Sequence, residues 1–304
     1  MTGIRISTPT ASIDGLEAKF VDVDGMRTRY YELGRPDAAA MLLCHGGLPG
    51  VSDANVWSLN LAPLGQHFHV FAADKLASGL TDAPAPDVPY TMALQTRHMY
   101  RFLQTVGISS AHLVGQSFGG LLITRLALHH AELARSMVIV DSATTAPEVG
   151  DYEARRQGMQ REPARDEREA VTRGLHRLSF DRSHISDELI DATLLIQRTP
   201  AMQAWKRRWA TEEPRFMDDY QRTKLETLQH LEAGELKEVP TLLYWARNDP
   251  TAILEQGRAL FDLLAKTSTT LRMLEVNRAG HFHFREYPRE FVDNITGFIQ
   301  RFAA

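Results

Sequence analysis

The sequence holds a single cysteine, Cys44, among 304 residues. No intramolecular disulfide can form, and a reducing compartment is the expected setting. Neither charge sign is in excess: 34 basic against 38 acidic residues give a formal net charge of −4. That balance gives nucleic acid or an anionic membrane surface no electrostatic reason to bind. No apolar run approaches the length of a membrane span, and residues 1–15 are polar and lack the apolar core of a signal peptide. There is no glycine-rich phosphate loop. The twelve histidines do not pair with neighbouring acids at metal-ligand spacing. His129 and His130 close a predicted helix, where the dipole accounts for them, and His67 and His69 alternate about a strand start. The expectation is a cytoplasmic globular protein that needs no cofactor or metal and whose partner is a small-molecule substrate. A homo-oligomer is compatible with this sequence but not demanded by it.

What is present is an alternation of short aliphatic runs with longer amphipathic ones. Lys19–Val23 and Met26–Leu33 read as strands joined at Asp24-Gly25, a hairpin signal. Ala40–Cys44, 67–74, 111–115 and 136–141 read as further strands, with helices over 90–106 and 117–130. The rhythm returns with strands at Thr241–Ala246 and 270–276 and helices over 251–266 and Pro288–Phe302. Such an order predicts an α/β protein with a mostly parallel sheet covered on both faces.

Residues 146–237 interrupt this order with almost no strand signal. Arg155, Arg156, Arg161, Arg165, Arg168, Arg173 and Arg177 alternate with acids, and apolar residues follow at helical intervals over 189–209. The charges read as a solvated helix face laced by intrahelical ion pairs. The division expected is a core of 1–145 and 238–304 with a helical cap at 146–237.

Gly115-Gln116-Ser117-Phe118-Gly119 fits G-x-S-x-G, with Gly120 adding a further small residue. The pattern alone is weak, but here a predicted strand leads into it and a predicted helix leaves it. That is the context of a nucleophile elbow, in which a strained turn lifts the serine to the sheet edge at a helix N-terminus. The plainer reading makes Ser117 a helix cap. The Phe118 N–H would serve as one oxyanion donor. A second is expected from His45-Gly46-Gly47-Leu48-Pro49-Gly50, with Gly47 preferred to Leu48 and His45 supporting the loop. Cys44 reads as a buried strand residue.

A serine hydroxyl needs a base, and the base an orienting acid. Asp249 follows the Thr241–Ala246 run, and His281 follows the last strand behind Gly280. The glycine is expected to permit the sharp loop that turns His281 to the sheet edge. His283 is the competing base and Asp141 the competing acid. Asp249 also reads as the N-cap of the helix expected from about Thr251, with Pro250 at its first position.

Taken together, the elbow, the His-Gly-Gly loop and the late Asp and His resemble the α/β-hydrolase superfamily over residues 20–302. Within it, the chain is similar to the meta-cleavage product hydrolases, which break carbon–carbon bonds in ring-fission products. Three stretches carry this: His45 to Ser52 with Trp57; Phe180-Asp181-Arg182-Ser183 with Ser186 to Ile190; and Trp245-Ala246-Arg247-Asn248-Asp249.

The departures are specific. Gln116 stands where that family has asparagine, Phe282 where it has tryptophan, and Ala192, Thr193 and Leu194 where its cap carries a carboxylate-gripping arginine. Arg198, Arg207 and Arg247 are the available substitutes. The loop Asp74-Lys75-Leu76-Ala77-Ser78-Gly79 lacks the usual early glycine. The resemblance implies the α/β-hydrolase fold and cleavage of a diketo acid, with Gln116, Leu48, Trp205, Trp209 and Phe282 as substrate contacts and Leu194 and Leu195 beside them in the pocket. Ester or lactone hydrolysis is the alternative on the same residues. Cofactor-free oxygenation and ligand binding without turnover are the more distant ones.

Overall fold

A computed structural model describes residues 11–150 and 164–303. Eight strands form one sheet: β1 Lys19–Val23, β2 Met26–Leu33, β3 Ala40–Cys44, β4 His69–Ala73, β5 Ala111–Gln116, β6 Ala134–Val140, β7 Thr241–Ala246 and β8 Leu271–Val276. Their spatial order is β1-β2-β4-β3-β5-β6-β7-β8. The pairs β1·β2 and β2·β4 are antiparallel and the rest parallel.

Every central strand is apolar on both faces because both are covered. Leu42, Leu113, Ile139 and Leu243 point to one face, against Met99, Phe102, Leu122, Leu126, Leu260 and Leu264. Those partners come from α2 Met92–Thr105, α3 Phe118–His129 and α7 Leu254–Ala265. The alternate residues Leu43, Val114, Val138 and Leu242 meet Leu61, Leu64, Phe291, Ile295 and Phe298 on the other, from α1 Ser58–Leu64 and α8 Pro288–Phe302. Each such side chain contributes about 1.5–3 kcal/mol by leaving water, and the period of two along each strand divides them between the faces.

The differences from the sequence reading have local causes. β4 starts at His69 because the His67 and Phe68 amides still donate to Leu64 O, closing α1. That helix carries Pro63 near its end, which hides it from a pattern search. α7 starts at Leu254, so Pro250 is not at a helix N-terminus. Ala77 takes the left-handed conformation, at φ 55°, in the loop without the early glycine.

Between β6 and β7, the described residues contain no strand and three long helices: α4 Glu167–Leu178, α5 Asp187–Gln197 and α6 Pro200–Glu232. Arg155, Arg156 and Arg161 lie outside the described residues. The apolar pattern over 189–209 is split at Thr199, whose side chain accepts the Met202 N–H while Pro200 opens α6. Glu169 pairs with Arg165 and Arg173 within α4, as expected. Other pairs cross between helices instead: Arg168 reaches Asp187 and Asp191, and Arg198 reaches Glu167. Met202, Trp205, Phe216 and Tyr220 of α6 pack onto Leu76, Tyr90 and Phe118, seating the insertion over the sheet edge where β5 ends.

Candidate active site

Ser117 stands alone between β5 and α3, at φ 51° and ψ −122°. Such a conformation costs a non-glycine residue about 1–3 kcal/mol and persists only where its surroundings impose it. Here they do. A Cβ on Gly115 would lie 2.3 Å from Gly119 O, and one on Gly119 would lie 2.3 Å from Cys44 O. Strand, helix and the neighbouring β3 end therefore touch backbone to backbone. The Ser117 N–H donates to Val140 O at 2.8 Å, and its carbonyl accepts from Ser142 Oγ at 2.6 Å and Thr144 Oγ1 at 2.9 Å. The Ser117 side chain caps no helix amide, so the capping role is not the one it takes.

The loop after β3 crosses in front of this turn. A Cβ on Gly46 would come within 2.8 Å of Ser117 Cβ and 2.1 Å of Gln116 Oε1. His45 is fully buried. Its Nε2 accepts the Lys75 N–H at 3.1 Å, which puts the ring proton on Nδ1, 2.9 Å from Gly46 O. Burial holds its pKa well below the ordinary histidine value. Beneath the loop lies Lys75, which the sequence reading named only within the 74–79 loop and gave no role. Its ammonium donates to Gly46 O at 3.0 Å and Gly47 O at 2.7 Å, and sits 4.7 Å from the centre of the Phe118 ring. Burial pushes its pKa down to about 7. Its signal was position: a lysine directly past the end of a central strand.

His281 Nδ1 and Asp249 Oδ2 are 2.5 Å apart, which leaves Nε2 to accept a proton. The other oxygen, Oδ1, accepts from Thr251 N at 2.7 Å, Thr251 Oγ1 at 2.8 Å and Ala252 N at 3.0 Å. Asp249 thus holds the histidine with one oxygen and closes its own turn with the other. The competing pair lies alongside, with His283 Nε2 3.3 Å from Asp141 Oδ2. Charge is disfavoured on both partners: burial pushes His283 down to about 3, and burial with the nearby Asp249 charge raises Asp141 well above the ordinary carboxylate value. Asp141, Asp249 and His281 place donor atoms within 4.8 Å of one another. The His281 Nδ1 and Asp249 lone pairs that a metal ion would need are already engaged in the hydrogen bonds above.

Gly280 does not serve as a left-handed turn. A Cβ there would lie 2.5 Å from Leu178 O and 2.7 Å from Phe180 N, so its smallness admits the insertion's backbone. The His281 N–H donates to that same Leu178 O at 2.7 Å. Glu286 completes the seam by accepting the Phe180, Asp181 and Gly280 amides at 3.1–3.2 Å. No periodicity marks Glu286, and the sequence reading missed it.

The expected substrate contacts fare unevenly. Gln116 is buried and donates to His281 O at 3.2 Å, linking the nucleophile turn to the histidine loop. Phe282 packs into the core against Phe284 and His184, which leaves it little surface to offer. Leu48 and Trp209 are half-buried beside the α6 cluster. Trp205 lines a cavity of about 1450 Å³ between the hairpin turn 24–27, the loop 77–88, α2 and residues 195–208. Neither Ser117 nor His281 lines that space. The three substitute arginines are spent elsewhere or turned outward: Arg198 pairs with Glu167, Arg247 with Glu275, and Arg207 is exposed.

Residues 39–286 match the family model described as the alpha/beta hydrolase fold. The 2-hydroxy-6-oxo-6-(2'-aminophenyl)hexa-2,4-dienoic acid hydrolase of Metapseudomonas resinovorans is 25% identical, over 93% of this chain and 91% of its own length. The 2-hydroxymuconate semialdehyde hydrolase of a Pseudomonas strain is 26% identical, over 90% and 91%. Among solved structures, the meta-cleavage product hydrolase CumD of Pseudomonas fluorescens aligns with a TM-score of 0.75 at 22% identity, over 94% of this chain and 98% of that one.

Proposed function

The chain belongs to the α/β-hydrolase fold family, and from that premise we propose that it is a serine hydrolase of small carbonyl compounds, with ring-fission diketo acids as substrate class. Ser117 is the nucleophile, His281 the base and Asp249 the orienting acid. The observation that carries this reading is the conjunction of Ser117 at φ 51° on a strand–helix turn with the Asp249–His281 hydrogen bond at the neighbouring strand ends. The substrate class rests on the relatives, which are similar along nearly the whole chain, one named for a 2-hydroxy-6-oxo-dienoic acid and the other for 2-hydroxymuconate semialdehyde.

In this reaction His281 Nε2 takes the Ser117 proton as Oγ attacks the carbonyl carbon, and the Phe118 and Gly47 amides hold the oxyanion. The bond from that carbon to its neighbour breaks, and the departing carbon takes the proton from His281. Water, deprotonated by the same histidine, then releases the acyl group as an acid and restores Ser117. The insertion acts as the cap over the substrate, with Trp205 and Leu48 toward it. No metal or organic cofactor enters these steps.

Ester hydrolysis is the second reading, and one observation favours it: Arg198, though it lines the cavity, is paired with Glu167, Arg247 is paired with Glu275, and Arg207 is exposed outside the cavity lining, so none is left as a dedicated carboxylate anchor. A panel of aryl esters, lactones and ring-fission diketo acids on wild type and Ser117→Ala decides between them. Ser117→Ala should lower turnover by roughly 10⁴-fold or more on every substrate that wild type accepts. Retained turnover would remove Ser117 from its role, and turnover of esters alone would replace the diketo-acid reading.

A further inference from the structure

We propose that Lys75 is a positioning residue for the oxyanion hole, fixing the peptide planes that carry the Gly47 donor and its neighbour, the Leu48 amide. The inference rests on the serine-hydrolase reading and adds a residue that reading does not contain.

The argument is geometric. Among the described residues every peptide bond is trans, and in a planar trans peptide the C=O and the following N–H point in opposite directions. Lys75 Nζ holds Gly46 O at 3.0 Å and Gly47 O at 2.7 Å. The Gly47 and Leu48 amides, which share those planes, are therefore both turned to the side away from the lysine. Neither donates to a backbone acceptor among the described residues. The Gly46 end of the same loop is the part that lies against Ser117. His45 Nδ1 adds a second donor to Gly46 O, so that plane is held twice and the Gly47 plane by Lys75 alone.

A buried ammonium is expensive to keep without compensation. Lys75 is 1% exposed, and its compensation is two loop carbonyls and the Phe118 ring face rather than a carboxylate. A lysine retained purely for packing would be served by any long apolar side chain. This one is joined to both proposed oxyanion donors, through the Gly46–Gly47 carbonyls on one side and Phe118 on the other. It also places a positive charge behind the hole, where charge-assisted hydrogen bonds polarise the peptide groups they hold.

The test uses the full-length enzyme, an activated aryl ester and phenylboronic acid, which bonds to the nucleophile and presents a boronate oxygen to the oxyanion donors. Lys75→Met keeps the stem and removes the donor and charge. The expected result is a fall in kcat of roughly 10- to 100-fold with KM within about threefold, and an equal loss of phenylboronic acid affinity. Lys75→Arg, which retains charge and donors, recovers most of the lost kcat. A Lys75→Met enzyme with wild-type kcat, or a folded Lys75→Arg enzyme as slow as Lys75→Met, overturns the proposal. Should Lys75→Met not fold, the unaltered enzyme decides by nuclear magnetic resonance. Phenylboronic acid should shift the Gly47, Leu48 and Lys75 ammonium signals together, and an unmoved Lys75 signal overturns the proposal. Ester turnover that survives Ser117→Ala would instead overturn the underlying serine-hydrolase reading, whatever Lys75 does.

Discussion

The sheet edge around Ser117 and the helical insertion above it are held by opposite means. At the edge, backbone meets backbone: Gly115 against Gly119, Gly119 against Cys44, and Gly46 against Ser117 and Gln116, with no room for a Cβ. In the insertion, α4 has no buried residue, and it is joined to α5 by half-buried Leu175 against Leu189 and Ala192 and by the Arg168 and Arg198 ion pairs on exposed side chains. Pairs of that kind each contribute about 0–1 kcal/mol. The edge is thus set by contacts that leave no room for a side chain, while α4, the outlying helix of the insertion, keeps its place largely with interchangeable ones. Reaction chemistry needs the first kind of order. Substrate choice is compatible with the second.

Three substitutions test this contrast. Gly119→Ala has the largest expected effect. Its methyl group would meet Cys44 O at 2.3 Å, so unfolding stability should fall by about 3 kcal/mol or more and ester turnover should be lost. A stable and active Gly119→Ala enzyme would mean that close approach does not set the elbow. Asp141→Asn tests the edge more gently. Asp141 has its pKa raised in the folded chain, so above the ordinary carboxylate pKa the unfolded chain loses that proton first. Wild-type stability should therefore fall relative to Asp141→Asn as pH rises from about 4, at up to roughly 1.4 kcal/mol per unit until the folded pKa is passed. Melting curves of the two proteins that stay parallel across pH 4–7 would contradict a neutral Asp141. Arg208→Ala is the mildest. Arg208 ties α6 to the Pro84, Ala85 and Val88 carbonyls at 2.6–3.0 Å. Its loss should cost about 1 kcal/mol and speed hydrogen exchange in residues 84–88. A cost equal to that of Gly119→Ala would erase the distinction between edge and insertion.

The same contrast explains what could be read from residues alone. The inner strands β3 to β7 carry apolar runs whose burial is dictated by a sheet covered on both faces, β1 and β2 are marked by their hairpin turn, and all eight strands were legible to within about two residues. The Gly-x-Ser-x-Gly turn was legible because its glycines answer a steric demand between neighbouring segments. Lys75, Glu286 and Gln116 were not. Each acts through loop carbonyls or amides that only the folded chain brings near: Gly46 and Gly47, Phe180 and Gly280, and the His281 carbonyl. α1 was hidden by Pro63, and the start of α7 by the turn that Asp249 closes. Gly280 was rightly singled out, but for a bend, when its real neighbour is the insertion's backbone.

The seam at Glu286 has a consequence for how this protein could diversify. One side chain clasps both the segment entering α5 and the loop that carries His281. A foreign insertion grafted in place of α4 to α6 would have to keep residues 178–181 as native chain, or it would unseat the histidine with its first splice. Recombination is therefore permitted further along, past Asp181, and forbidden at the boundary that the strand pattern alone would suggest. The exchangeable cassette is shorter than the structural insertion.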